Sequence, residues 1–174
     1  MAHDAHAHHH KESFITKYIF SQDHKMIGKQ YLITAMIMGG LGIALSAFFR
    51  LKLGWPDAKF PILEAVLGAD AAPDGLLDSN WYLGLVTLHG TIMVFFVLTG
   101  GLSGTFSNLL IPLQVGARDM ASGLLNMIAY WLFFLSSLLM AASLFIETGP
   151  AMAGWTIYPP LSVLEELQPG SGLG

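Results

Sequence analysis

One histidine, His89, lies in a long and nearly uncharged apolar run within residues 81–126. A run of this kind reads as a membrane-spanning helix, and an ionisable side chain inside one is costly to bury. Such a side chain needs a partner. A neutral imidazole at that depth can bond across helices, relay protons, or ligate a metal or haem iron through one ring nitrogen. The plain alternative is a packing histidine satisfied by a neighbouring helix.

Threading the apolar runs alternately through a bilayer sorts the other polar residues into two groups. Arg50 ends the first run on the same side from which His89 lies about seven residues, or roughly 10 Å, into the second. Trp155 and Tyr158 follow the third run on that side. A cation, an imidazole, an indole N–H and a phenol suit a bound haem, whose iron takes an imidazole and whose polar substituents take donors. On the opposite side are Asn108 late in the second run, Asp119 in a connecting loop and Asn126 entering the third. A carboxylate at a water-exposed mouth, followed by amides that can hold a chain of water, makes a route for protons. Taken alone, Asp119 reads as an ordinary loop aspartate capping the next helix.

The elements that position these residues are all helical. The chain is 53% hydrophobic and 11% charged, with a mean hydropathy of +0.57, which indicates an all-α integral membrane protein. Spans are expected over 26–49, 82–111 and 126–146, as part of a larger helical bundle. Gly39, Gly40 and Gly42 give the first a smooth packing face, and Gly100, Gly101 and Gly104 do the same in the second. The second is long enough to require tilting or protrusion, and Pro112 is expected to close it. The connection over 51–80 is too long for a simple hairpin and contains a candidate surface helix at 62–67. Residues 1–22 form a polar tail, of which 1–10 are His-rich and read as disordered rather than as a metal site. Residues 23–161 form the membrane region, and 162–174 an outer C-terminal segment.

Lys11, Lys17, Lys25 and Lys29 lie before or at the start of the first span, which places the N-terminus in the cytoplasm and, after three crossings, the C-terminus outside. A net charge of −4 without a basic patch excludes nucleic acid as a partner. The chain has no cysteine, which excludes thiolate metal sites within it.

Five stretches in order, "DHKMIGKQY", "LSAFFRLKLGWP", "TLHGTIMVFFV", "SNLLIPLQVGARDMASGLLN" and "GWTIYPPL", resemble subunit I of the haem–copper oxidases, as in cytochrome c oxidase. The resemblance covers nearly all of residues 23–161. It implies that His89 is one axial ligand of a low-spin haem, with type A expected and types B and O open. Arg50 would then lie at a haem propionate or polar substituent, with Trp155 and Tyr158 at its outer edge. Asp119 would open a proton pathway continued by Asn108 and Asn126. The family's usual "GAPDMAFPR" is here "GARDMASGL", so Arg118 replaces a proline and Ser122-Gly123-Leu124 replace Phe-Pro-Arg. Lys52 stands where many members place a glutamate for an outer cation.

No histidine follows His89. The second axial ligand, the second haem and the copper are therefore expected on later helices, and this chain alone is expected to be inactive. The resemblance implies the N-terminal part of a proton-pumping terminal oxidase in a bacterial-type inner membrane. Its expected partners are the remaining helices of subunit I, other oxidase subunits, the lipid bilayer, and cytochrome c or another respiratory complex as electron donor. Two other readings compete. One is a haem-binding membrane anchor of a quinone-linked complex, with His89 paired to a histidine of another subunit; the other is a packing scaffold without haem.

Overall fold

A computed structural model describes residues 13–146, 148–164 and 166; the His-rich stretch at 1–10 and most of the segment at 162–174 lie outside the described residues. Three helices are long and apolar enough to cross a membrane: α1 (His24–Gly54), α3 (Ser79–Val115) and α4 (Gly123–Phe145). A short helix, α2 (Pro61–Leu67), stands between the first two. No strand occurs among the described residues. Each crossing helix begins on a side-chain cap, as unsatisfied N–H groups require. Asp23 accepts from the backbone of Met26, Asp78 from Asn80 and Trp81, and Ser122 from Leu125.

Helices α1 and α3 pack antiparallel along a seam of small residues. A Cβ built on Gly28 would meet Leu109 and Asn108, one on Gly104 would meet the Tyr31 ring, one on Gly101 would meet Ala35, and one on Gly42 would meet Met93. The paired residue numbers sum to 135–137 along the whole seam, the signature of one antiparallel register. Small side chains let the backbones approach where lipid supplies no hydrophobic driving force. The expected glycine faces divide more finely than the sequence suggests. Gly100 faces Phe133 of α4, while nothing lies within 4 Å of a Cβ on Gly40.

Within α3, residues Ile92–Leu102 form a π-helical stretch. Its wider turn brings the Phe95 and Phe96 carbonyls toward Gly100 and Gly101, two positions with no side chain to obstruct them. Long π stretches are rare and often mark functional segments. Here the stretch begins three residues beyond His89.

Pro112 does not close α3. It lies inside the helix, which continues to Val115 and ends where Gly116 turns left-handed at φ 69°. The Ala117 N–H donates to the Pro112 carbonyl at 2.9 Å. The helix therefore stops at a glycine C-cap, where a left-handed conformation costs least.

The connection between α1 and α3 is folded rather than slack. Leu63, Ala71, Ala72 and Leu77 are buried with Leu45, Leu85 and Leu88 of the crossing helices. Phe60 N–H donates to the Gly75 carbonyl at 2.8 Å, and a Cβ on Gly75 would fall 2.8 Å from the Phe60 backbone. This connection joins the ends of α1 and α3 at which Arg50 and His89 lie.

Candidate functional site

His89 sits on the α3 face that meets α1. Its Nδ1 is 2.8 Å from the Gly42 carbonyl. A carbonyl can only accept, so Nδ1 carries a hydrogen, and in the neutral form of such a ring Nε2 is the nitrogen with the lone pair. Among the described residues Nε2 has no hydrogen-bond partner. An imidazole held at one nitrogen by a backbone carbonyl and open at the other is the usual geometry of a metal-ligating histidine, because the carbonyl fixes the tautomer and the ring orientation. Gly42 contributes twice, since its missing side chain admits Met93, one turn beyond His89, to the seam.

Gly42, Ser46 and Arg50 recur every four residues and share one stripe of α1. Arg50 donates through its guanidinium to Ser46 Oγ, and its Cζ lies 5.7 Å from the centroid of the Phe49 ring. The same Phe49 ring stands edge-on to His89 at 5.5 Å. Arg50 and His89 therefore border a common aromatic ring, and the cation is exposed beyond it.

Trp155 and Tyr158 are placed differently. Trp155 packs on Gly90, where a Cβ would lie 3.3 Å from Cδ1, and against Phe95 at 6.1 Å between ring centroids. The Gly154 N–H donates to Thr87 Oγ1 at 2.9 Å and fixes this segment to α3. With Thr87, Thr91, Phe95 and Met140, Trp155 lines a cavity of about 250 Å³. At 100° per residue, that stripe of α3 points well away from His89. Tyr158 is 75% exposed. The structure thus joins Arg50 to His89 through Phe49 and sets Trp155 on another stripe of α3.

The three residues of the second group are joined, through a residue that the sequence reading passed over. Asn126 donates from its amide to Asn108 Oδ1, and Asn108 Nδ2 donates to the Gly104 carbonyl at 2.8 Å. Asn108 is 2% exposed and His24 is 1% exposed. His24 Nδ1 lies 2.6 Å from the Asn108 carbonyl oxygen, and its backbone N–H donates to Asp119 Oδ1 at 3.3 Å. Ligand atoms of Asp23, His24 and Asp119 lie within 4.8 Å of one another.

Asp119 is exposed and also accepts from the Met120 N–H at 2.7 Å. It therefore ties its loop to the first turn of α1, while Ser122 caps α4. Gly123 explains part of the local sequence: a Cβ there would fall 2.7 Å from the Gln22 carbonyl oxygen. Lys52 folds onto its own loop and donates to the Pro56 carbonyl at 3.1 Å.

The pattern of the family described as cytochrome C and quinol oxidase polypeptide I matches residues 26–172. The chain belongs to this family. It is 42% identical over 155 residues to the alternative cytochrome c oxidase subunit 1 of Bradyrhizobium diazoefficiens, covering 89% of this chain and 24% of that protein. It is 40% identical over 147 residues to a cytochrome c oxidase subunit 1 of Thermostichus vulcanus, covering 84% of this chain and 23% of that protein. It is also 36% identical over 161 residues to a heme-copper oxidase subunit I+III of Aeropyrum pernix, covering 92% of this chain and 18% of that protein. The chain thus spans about a quarter or less of the length of these relatives. As a subunit I polypeptide with three crossing helices it is a multi-pass membrane protein, and its family is one of haem–copper oxidases. The donor set fits a haem on one face: an imidazole with Nδ1 engaged and Nε2 open, beside an exposed guanidinium.

Proposed function

We propose that this chain is the N-terminal portion of the catalytic subunit of a proton-pumping terminal oxidase, and that His89 is one axial ligand of its low-spin haem. The hydrogen bond from His89 Nδ1 to the Gly42 carbonyl carries this reading, because it leaves Nε2 as the one nitrogen able to take iron. That haem supplies reversible one-electron chemistry between a donor, cytochrome c or another respiratory complex, and a haem–copper centre on later helices that reduces dioxygen to water. Arg50 offers donors to an anionic edge beside the Phe49 ring. Trp155 and Tyr158 follow on the outer side, where the family resemblance puts them at the haem's outer edge.

Asp119 takes protons from the inner aqueous side, and the paired amides of Asn108 and Asn126 lead inward from it. Their joining across α1, α3 and α4 supports this route. Lys17, Lys25 and Lys29 near the start of α1 support a cytoplasmic N-terminus. Residues 23–161 act as one membrane unit, completed by the remaining helices of subunit I, by other subunits and by lipid.

Metal analysis and a reduced-minus-oxidised absorbance spectrum of the native complex test the class. Two haem signals with copper are expected. A haem signal without copper would instead favour a membrane anchor, and no haem would leave His89 a packing residue.

A further inference from the structure

Pro112 lies four residues after Asn108 inside α3. Its nitrogen carries no hydrogen, so the Asn108 carbonyl lacks the helical donor that any other residue at 112 would supply. A buried carbonyl left without a partner is unfavourable. The ring of His24 fills that gap from α1, with Nδ1 2.6 Å from the Asn108 oxygen. Nδ1 must therefore carry a hydrogen. The same residue donates its backbone N–H to Asp119. Among the described residues, His24 is the residue bonded both to the Asp119 carboxylate and to Asn108.

We propose that His24 is a positioning residue of the inner proton route. Pro112 withholds the helical donor from Asn108, and the His24 ring replaces it, fixing the Asn108–Asn126 amide pair relative to Asp119. This role rests on Asp119 being the proton entrance. It makes a prediction that a general packing role does not: what matters at position 24 is a donor aimed at one carbonyl, and that donor can be restored from elsewhere.

The test uses the purified oxidase complex containing this chain. His24→Ala keeps the backbone N–H for Asp119 but leaves the Asn108 carbonyl unpaired, and turnover and proton uptake should fall several-fold with the haem spectrum retained. His24→Asn places an amide nitrogen near the former Nδ1 and should recover most of the loss. Pro112→Ala returns an N–H to the Asn108 carbonyl, so His24→Ala should cost less in that background than alone. Equal loss in the Ala and Asn variants, or additive losses in the double variant, would overturn the proposal. If His24→Ala does not assemble, nitrogen-15 NMR of histidine-labelled complex, compared with His24→Asn, still reads the tautomer. Protonated Nδ1 is expected, and protonated Nε2 alone refutes the proposal. Asp119→Asn runs in parallel. Normal turnover there overturns the proton-entrance reading and the role of His24 with it, whereas lost turnover there with additive losses elsewhere overturns the role of His24 alone.

Discussion

Replacing Gly104 with alanine would set a Cβ 2.6 Å from Tyr31 Cδ1 and 2.8 Å from its Cε1 and Cγ. That ring cannot easily move. It is 8% exposed, meets Tyr130 edge-on at 5.2 Å and lies 5.1 Å from Phe133. Forcing extra volume into a closed contact costs about 1–3 kcal/mol. Gly40→Ala is the matched comparison, since nothing lies within 4 Å of its added Cβ. There the change gains helix propensity, worth up to about 1 kcal/mol in soluble helices. The two substitutions are chemically identical and opposite in predicted sign. The assay is the decay of the low-spin haem absorbance in detergent at a fixed elevated temperature, because irreversible loss is a rate. If the whole cost appears in that rate, Gly104→Ala decays roughly 5- to 150-fold faster than the parent, while Gly40→Ala decays no faster. Equal decay of the two variants, or a larger loss in Gly40→Ala, would refute the seam. Gly42→Ala should fall between them, since its Cβ meets the flexible end of Met93 at 2.8 Å.

Asp119→Asn should suppress turnover or proton pumping with haem content unchanged, as measured by oxygen consumption and proton release in vesicles; normal values for both would remove it from the route. Asn126→Ala strips the partner from buried Asn108 Oδ1 and should destabilise the complex by about 1–3 kcal/mol, read from the same decay assay. Ser122→Ala removes the α4 cap and should cost about 1 kcal/mol, seen as faster hydrogen exchange at the Leu125 amide. Arg50→Ala should shift the low-spin haem band or potential while leaving haem bound, and an unchanged spectrum would detach Arg50 from the haem edge.

The crossing helices were legible because apolar length and sparse charge leave few alternatives, and their caps fall on the Asp and Ser residues where such helices must begin. His89 was legible for the same reason, as an ionisable side chain in an apolar run. The role of Pro112 was not, because a proline ends a helix only when nothing else satisfies the carbonyl it strands. Here the satisfying group is His24, 84 positions away in the chain. His24 itself was visible inside the "DHKMIGKQY" stretch, but among several polar residues at the mouth of a span it carried no signal of its near-complete burial. Taken alone, Asp119 reads as a cap for the helix that follows it; it accepts instead from the backbone of His24 and Met120, and Ser122 caps α4. The π stretch over Ile92–Leu102 has no apolar period that distinguishes it from an α-helix over so short a length. Trp155 shows the limit of topology: sharing a membrane side with His89 says nothing about which face of α3 it covers.

The most direct test replaces His89 with alanine in the assembled complex and records the reduced-minus-oxidised spectrum with haem content against the parent. Loss of the low-spin haem band is predicted, with the remaining subunits still assembled. An unchanged low-spin band would contradict the account, leaving His89 a packing residue bonded to Gly42.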